Sequence, residues 1–307
     1  MTRAVVFAYH NVGVRCLRVL LDQGVDVALV LTHEDSPTET IWYDSVAQVC
    51  ADHSIPFITP DDANAPDVVA RIRALAPEFF FSFYYRKMLG ADLLGIPTRG
   101  ALNMHGSLLP KYRGRVPVNW AVLHGERETG ASLHYMEIKP DAGNLVAQTA
   151  VPILGDDTAF EVFQKVTVAA ELTLARALPQ LIAGTAPSVP LNLKAGSYFS
   201  GRKSEDGRID WTRTAAEVNN LVRAVAPPYP GAFADVGSKR IIVAKARVAA
   251  AEATSSVPVA GQIARTSNGS SGFVCGDGKL LIPLRLIVED KTLDASASQT
   301  WLATVKQ

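Results

Sequence analysis

Cysteine is scarce in this sequence, and no two cysteines are close together. The 307-residue chain has three of them, Cys16, Cys50 and Cys275. Because none belongs to a Cys-x-x-Cys pair, the spacing excludes a cysteine-ligated zinc site and a thioredoxin-like redox motif. Each is predicted to be a small buried side chain. Unpaired thiols are typical of a reducing compartment, so we expect a cytoplasmic protein.

Long apolar runs and an excess of one charge are also missing. The apolar start of the chain is too short for a signal peptide, and no uninterrupted apolar run reaches the roughly 20 residues that cross a bilayer. The formal net charge is +0, and the chain from Gly201 onward has 14 Lys and Arg against 10 Asp and Glu. A weak charge excess disfavours a polyanionic partner. We therefore expect small-molecule substrates and neither a membrane nor a nucleic acid as a partner. Assembly into a homo-oligomer is left open by these observations.

The first strand-to-helix turn lacks the glycines of a dinucleotide-binding site. Between Ala8 and Gly13 the pattern Gly-x-Gly-x-x-Gly would be required, and only Gly13 is present. A nicotinamide or flavin cofactor is therefore not expected, although the surrounding pattern favours a related fold.

Strand and helix patterns alternate through the first half of the chain. Alternation of this kind predicts an α/β, Rossmann-like, mostly parallel sheet with helices on both faces. Strands are predicted at residues 4–8, 25–31, 55–58, 79–83, 101–105, 133–136 and 145–151. Helices are predicted at residues 14–21, 45–53, 67–75, 118–124 and 160–181.

The pattern changes after residue 185, where Pro and Gly interrupt every long element. We predict a catalytic domain at 1–188, a linker at 189–207 and a smaller β-rich domain of the open-barrel kind at 208–307. Its strands are predicted at residues 209–211, 232–236, 240–248, 261–264, 272–275 and 279–282, with one helix at 215–226 and a surface loop at 249–258.

Asn103 and His105 are the polar residues with the clearest chemical meaning. They lie two apart on a predicted strand, so both side chains project from one face, near the strand end where α/β sheets bind ligands. Asn and His can donate hydrogen bonds to an oxyanion in acyl transfer. A hydrogen-bonded structural pair is the alternative for these two residues, and Asp141 could be an ordinary turn aspartate.

Two other chemistries are disfavoured by the same residues. Ser107 could suggest a Ser-His-Asp site, but the Gly-x-Ser-x-Gly elbow is absent. His105, His134 and Asp141 could ligate a metal, but a single carboxylate makes this a weak candidate site.

The order Asn103-x-His105-x-Ser107-Leu108-Leu109-Pro110, followed by Arg113-Gly114 and the Asp141 turn, resembles the 10-formyltetrahydrofolate-dependent formyltransferases. Residues 207–211 and 223–233 are similar to the second-domain signatures of the same family. The resemblance therefore extends over nearly the whole chain. It implies a formyltransferase with a Rossmann-like catalytic domain and a β-rich second domain.

The resemblance also implies roles for individual residues. His105 would be the proton donor, Asn103 would stabilise the transition state, and Asp141 would raise the pKa of His105. The formyl donor would be 10-formyltetrahydrofolate, with no metal and no nicotinamide. Its implied contacts are Lys87, Met88, Leu89, Arg115, Glu137, Ile138, Lys139, Pro140 and Asp141.

Within the family, residues 7–10, 81–86 and 105–115 are most similar to the polymyxin-resistance branch. Members of that branch formylate the 4-amino group of UDP-4-amino-4-deoxy-L-arabinose (UDP-L-Ara4N) for lipid A modification. Methionyl-tRNA formyltransferase and the N-formyltransferase of another nucleotide-linked amino sugar are the alternatives within the family. A formyltetrahydrofolate hydrolase and a non-catalytic binding module are alternatives from other classes.

Overall fold

A computed structural model describes residues 1–37, 39–252 and 259–305. The chain divides into two compact units. The first unit comprises Met1–Pro117, Glu128–Pro152 and Phe163–Ser200. The second comprises Val118–Arg127, Ile153–Val162 and the chain from Gly201 onward.

The described residues up to Phe199 form nine strands and six α-helices. The strands are β1 (Arg3–Ala8), β2 (Asp26–Leu31), β3 (Phe57–Ile58), β4 (Phe79–Phe83), β5 (Gly100–His105), β6 (Arg113–Gly114), β7 (Glu128–Tyr135), β8 (Leu145–Pro152) and β9 (Tyr198–Phe199). The helices are α1 (His10–Asp22), α2 (Val46–Asp52), α3 (Pro66–Ala74), α4 (Ala91–Leu94), α5 (Pro117–Leu123) and α6 (Ala159–Ala183).

Seven of these strands form one sheet in the order β3-β2-β1-β4-β5-β7-β8. The first five run parallel, and β7 and β8 add an antiparallel edge. All five residues of β4 are buried, as expected for a central parallel strand covered on both faces. The predicted Rossmann-like, mostly parallel sheet is confirmed, and its carboxyl end carries the ends of β1, β4 and β5.

Helix α6 is the one helix in the described ranges that has the length and apolar character of a membrane span. Half of its most apolar stretch is buried inside the protein. Because core helices of soluble proteins show the same length and composition, α6 is weak evidence for a membrane segment.

The second unit contains an antiparallel sheet. Its strands are β10 (Ala232–Val236), β11 (Lys239–Ala249), β12 (Ile263–Arg265), β13 (Ser271–Val274), β14 (Leu280–Val288) and β15 (Lys291–Leu293), with helices α7 (Ala215–Val225) and α8 (Ala295–Thr304). The strand order is β10-β11-β14-β13-β12, with β15 paired to β14. The predicted β-rich second domain is confirmed.

Some local features of this unit differ from the predictions. The strand predicted at 209–211 is wrong, because Asp210 accepts hydrogen bonds from the Thr212 amide and hydroxyl and turns the chain there. Strand β14 continues through Pro283, which lies opposite Ala246 at an irregularity of the β11 register. Helix α8 was not predicted; Asp294 caps it by accepting the Ala297 amide at 2.9 Å. Of the loop predicted at 249–258, residues 253–258 lie outside the described residues.

Candidate functional site

Strand β5 places Asn103 and His105 at the carboxyl end of the parallel strands. Antiparallel pairing sets Asn103 opposite His134 of β7, and His105 opposite Ser132. Opposite residues of an antiparallel pair project from the same face of the sheet. The register therefore gathers two histidines, an asparagine and a serine at one end of β5.

Asp141 lies in the connection between β7 and β8. The Tyr135 amide donates to the Asn144 carbonyl at 2.9 Å, which closes the turn. Asp141 has a φ of 49°, in the left-handed region. The Gly114 amide donates to Oδ2 of Asp141 at 2.9 Å. The turn and this hydrogen bond together hold the carboxylate against the end of β5.

The second carboxylate oxygen of Asp141 is the point where the site converges. Oδ1 lies 3.4 Å from Nδ1 of His105 and 3.4 Å from Nε2 of His134. Nδ2 of Asn103 donates to the same oxygen at 3.4 Å. The structure therefore brings together the three residues of the predicted site. These distances exceed the 2.7–2.9 Å of a tight charge-assisted hydrogen bond, so Oδ1 holds its neighbours loosely.

The Asp141 carboxyl group is largely buried, with 12% of the side chain exposed, yet it stays ionised. Burial alone would raise its pKa, but the charge of His105, the hydrogen bond and charge of His134, and the Gly114 amide outweigh that effect. The net result is a pKa well below the ordinary value of 3.8. The site therefore contains a permanent negative charge beside two imidazoles.

The His105 ring is fixed on both sides. Its side chain is 7% exposed, and Nε2 donates to the Tyr112 carbonyl at 2.8 Å. Since Nδ1 faces Asp141, both ring nitrogens face acceptors. Both contacts are satisfied as hydrogen bonds only when each nitrogen has a proton.

His134 is a member of this cluster that the sequence indicated only as a weak metal-ligand candidate. Its Nδ1 donates to the Tyr135 carbonyl at 2.8 Å, so the proton is on Nδ1. Nε2 lies 3.2 Å from Nδ2 of Asn103 and 3.4 Å from Oδ1 of Asp141, so it faces both a donor and an acceptor. The amide orientation of Asn103 is thereby fixed by His134 and Asp141. No local sequence pattern predicts this contact, because it depends on the register of β5 against β7.

The other predicted contact residues lie in two largely exposed segments, at the separate exposed position of Arg115 and at one buried position. Lys87 and Met88 follow β4; the Lys87 ammonium donates to the carbonyls of Pro60 and Asp61, and Met88 is 55% exposed. Leu89 is 3% exposed and packs in the hydrophobic core. Arg115 donates to the Arg86 carbonyl at 3.4 Å, which joins the segment after β4 to the segment after β6.

The second exposed segment leads directly into Asp141. Glu137, Ile138 and Lys139 are exposed, with Ile138 at 61%, and Pro140 is half-buried. An exposed aliphatic side chain beside a buried carboxylate is suited to contact an apolar ring of a ligand.

Aromatic rings surround the first strand-to-helix turn, at the end of β1. The His10 ring stacks on Tyr43 with centroids 3.9 Å apart and meets the edges of Trp42 and Phe163. Burial, and secondarily the charge of Arg86, lower the pKa of His10 to about 3, so the ring is neutral at physiological pH. These contacts hold the chain between β2 and α2 against the end of β1.

The chain between β2 and α2 is acidic. Residues 32–45 contain Glu34, Asp35, Glu39 and Asp44, and no Lys or Arg. Glu39 accepts both terminal nitrogens of Arg86, at 2.8 and 2.9 Å. Asp35 accepts the Tyr9 hydroxyl at 2.6 Å. This segment therefore carries negative charge, and Arg86, which contacts it, is already paired with Glu39.

We expect Gly143→Ala to damage the turn that holds Asp141. A Cβ at residue 143 would collide with the backbone carbonyl of Tyr135, which cannot move without disturbing β7. Overpacking of this kind costs about 2 kcal/mol of unfolding free energy, and displacement of Asp141 should lower turnover as well. Denaturant unfolding and a turnover assay measure the two effects.

Gly155→Ala is the matched control, since nothing lies within 4 Å of a Cβ built there. Equal stability and turnover for the two alanine variants would contradict the role given to the Gly143 turn.

Comparison with protein families identifies both parts of the chain. Residues 9–178 match the formyl transferase family, and residues 202–300 match the formyl transferase C-terminal domain. The first match alone covers more than half of the 307 residues.

Solved structures show the same fold along most of the chain. An N-formyltransferase from Helicobacter canadensis, solved with folinic acid and dTDP-3-aminofucose, shares 20% identity at a TM-score of 0.68; the match covers 92% of this chain and 99% of that one. The sugar 3N-formyltransferase WlaRD, solved with dTDP and 5-N-formyl-THF, shares 19% identity at a TM-score of 0.70, over 95% and 99%. A 4-N formyltransferase from Francisella tularensis shares 20% identity at a TM-score of 0.65, over 79% and 96%.

Proposed function

The chain belongs to the formyl transferase family, and we propose that it transfers the formyl group of 10-formyltetrahydrofolate to the 4-amino group of UDP-L-Ara4N. The observation that carries this proposal is the convergence of Asn103, His105 and Asp141 at the end of β5. The resemblance of residues 7–10, 81–86 and 105–115 to the polymyxin-resistance branch supports this choice of acceptor. The product would serve lipid A modification and resistance to cationic peptides.

The proposed reaction joins the acceptor amine to the formyl carbon directly. The amine, as its free base, attacks that carbon, and the carbonyl oxygen becomes an oxyanion. When the oxyanion collapses, the bond from the carbon to folate N10 breaks, a proton is delivered to N10, and the amine nitrogen loses a proton. The products are a formamide and tetrahydrofolate. Holding the two reactants together supplies much of the rate acceleration.

Asn103 and His105 would stabilise the oxyanion. Their N–H groups converge on one oxygen atom, Oδ1 of Asp141, at 3.4 Å each. Donors that converge on one point form the arrangement that an oxyanion requires, and one such donor contributes roughly 3 kcal/mol. Because the contacts to Oδ1 are long, the same N–H groups can also donate to the stronger partner that forms during reaction. His105 would then serve as the proton donor.

Asp141 would compensate the positive charge of the His105 ring. Its low pKa keeps it ionised throughout the neutral pH range. The Gly114 amide on Oδ2 fixes the carboxylate while Oδ1 faces the imidazoles. Oδ2 would therefore orient the carboxylate, and Oδ1 would compensate the charge of the His105 ring.

The folate would lie along the exposed segments that flank the site. The side chains of Met88 and Ile138 offer exposed apolar surface for a flat ring, and Lys139 and Arg115 offer positive charge for its carboxylates. Lys87, Glu137 and Pro140 complete these segments. Leu89 is buried, so its contribution would be through the backbone. The solved relatives that bind folinic acid and 5-N-formyl-THF support a folate donor.

The charge of residues 32–45 favours a small acceptor over methionyl-tRNA. A protein that grips RNA neutralises phosphates with Lys and Arg, whereas this segment has four acidic and no basic residues. For a sugar nucleotide, the protein has to accommodate the charge of only one diphosphate. Another nucleotide-linked amino sugar is the second candidate acceptor, because two of the solved relatives were crystallised with dTDP or a dTDP-linked sugar.

Acceptor specificity tests the proposal. With 10-formyltetrahydrofolate as donor, we expect kcat/KM for UDP-L-Ara4N to exceed that for a dTDP-linked amino hexose and for methionyl-tRNA by at least about 100-fold, the discrimination that unpaired polar groups in a site can supply. The highest kcat/KM on methionyl-tRNA or on the dTDP-linked sugar would contradict the choice of acceptor and leave formyl transfer itself in place.

A further inference from the structure

Gln148 of β8 and Ser132 of β7 form a hydrogen-bonded pair beneath the loop that follows β5. We call residues 107–112 the histidine loop, because the Tyr112 carbonyl accepts from Nε2 of His105 at 2.8 Å. Neither Gln148 nor Ser132 contacts His105 or Asp141 through its side chain among the described contacts. Both instead contact the backbone of the histidine loop.

Ser132 is fully buried and uses all of its hydrogen-bonding capacity. Its hydroxyl donates to the Ser107 carbonyl at 2.5 Å and accepts the Leu109 amide at 3.1 Å. It also accepts from Nε2 of Gln148 at 2.8 Å. A hydroxyl has one donor and two acceptor sites, so Ser132 is saturated.

Gln148 completes the attachment of the histidine loop to the sheet. Both protons of its Nε2 are used, one on Ser132 and one on the Leu109 carbonyl at 2.9 Å. Ser132 holds the amide of Leu109 and Gln148 holds the carbonyl, so this peptide segment is fixed from both sides. A side-chain amide can donate twice from one nitrogen without adding a charge.

The far end of the histidine loop is fixed by its own first residue. The Ser107 hydroxyl donates to the Lys111 carbonyl at 2.6 Å, and Ser107 is fully buried. The Tyr112 carbonyl follows directly. The contacts therefore form a continuous path from Gln148 and Ser132, through the loop backbone, to Nε2 of His105.

We propose that Gln148, acting with Ser132, is a positioning residue for His105: it fixes the histidine loop so that the Tyr112 carbonyl holds the imidazole toward the reacting formyl group. The inference rests on the proposed function. In this proposal Gln148 does not contact a substrate, so its replacement should slow the chemical step rather than weaken substrate binding. A misplacement of a reacting group by about 1 Å costs up to about 100-fold in rate.

The test uses Gln148→Met, which keeps the size of the side chain and removes both donors. We expect kcat to fall about 10- to 100-fold while KM for both substrates stays within about twofold of wild type. Gln164→Met is the matched control, because Gln164 is exposed on α6, and it should keep wild-type kinetics. Wild-type kcat in folded Gln148→Met protein would overturn the proposal.

Gln148→Glu provides a second variant with a distinct signature. An ionised carboxylate only accepts, whereas its protonated form again has one donor for the Leu109 carbonyl. The ratio of its kcat to that of wild type should therefore rise as the pH falls from 8 to 5.5, while the ratio for Gln148→Met stays flat. Equal pH dependence of the two ratios would overturn the assignment of Gln148 as a donor.

The imidazole ¹⁵N spectrum of histidine-labelled protein gives a readout independent of turnover. The His105 signals, assigned by their loss in His105→Ala, should move in Gln148→Met and stay in place in Gln164→Met. Unmoved signals would overturn the proposal even if activity fell. Absence of formyl transfer by the wild-type protein would count against the proposed function instead, and the spectrum would still test the positioning role.

Discussion

Replacement of His105 by alanine should lower kcat for formyl transfer by about 1,000-fold. The ring would provide both an oxyanion donor and the proton for folate N10. Each contribution is worth about 100-fold or more, but roles that act as a unit are not multiplicative, so the combined loss is smaller than the product. The fold should survive, since the His105 side chain contacts the Tyr112 carbonyl and Asp141 rather than the hydrophobic core. Single-turnover measurement with saturating substrates isolates the chemical step.

His53→Ala is the control for this variant, because His53 is exposed at the end of α2. We expect wild-type kcat for it. A His105→Ala protein that is folded and turns over within about threefold of wild type would exclude His105 as the proton donor, whatever the acceptor.

Replacement of Asp141 by asparagine should lower kcat by about 100- to 1,000-fold. Asparagine keeps the shape of the side chain and an acceptor for the Gly114 amide, but it removes the charge that faces both imidazoles. The KM for folate should change less than kcat, because the change affects charge compensation in the transition state. Asp22→Asn, at the exposed end of α1, is the control.

Asp141 also gives the stability of the fold a defined pH dependence. Its pKa is lower in the folded chain than the ordinary value of 3.8, so the ionised carboxylate stabilises the fold above that value. This contribution is lost as the pH falls below 3.8 toward the folded-state pKa. Asp141→Asn should therefore be less stable than wild type by about 2 kcal/mol near pH 7, and the difference should shrink in acid.

Denaturant titrations at several pH values measure this difference. A gap between wild type and Asp141→Asn that widens as the pH falls would contradict the sign of the pKa shift. A gap that is absent at neutral pH would show that the carboxylate contributes nothing to folding.

Local sequence patterns were sufficient to predict the parallel sheet and to single out Asn103 and His105 as candidates, whereas the choice of Asp141 depended on the family resemblance. Buried strands such as β4 are short runs of mostly apolar residues, and helices such as α1 have one apolar face. Asn103 and His105 stand out because polar residues two apart interrupt such a run at its end. These signals lie within a few residues of each other and need no knowledge of the fold.

The residues that support this site depend on pairings between distant segments. His134 reaches Asn103 only because β7 runs antiparallel to β5 in one register. Gln148 lies on β8, one strand further out, and contacts the histidine loop 39 residues earlier in the sequence. A shift of one residue in either pairing would turn these side chains to the other face. Sequence periodicity does not report the register, so these contacts could not be predicted.

The second unit shows the limits of local patterns in a different way. Helix α8 is rich in Ser and Thr, which favour caps and turns over helix interiors, so its helical pattern is faint. It forms because the Asp294 cap and contacts with β13 fix it in place, including the hydrogen bond that the Ser271 amide donates to Gln299 at 2.6 Å.

The most direct test of formyl transfer by this chain is the mass of the acceptor. Purified protein would be incubated with 10-formyltetrahydrofolate and UDP-L-Ara4N, and the sugar nucleotide analysed by mass spectrometry. Replacement of an amine hydrogen by a formyl group adds CO, so we predict a gain of about 28 daltons, consistent with acyl transfer to the amine, that disappears with His105→Ala. No mass gain on this acceptor, on a dTDP-linked amino sugar or on methionyl-tRNA would contradict the account.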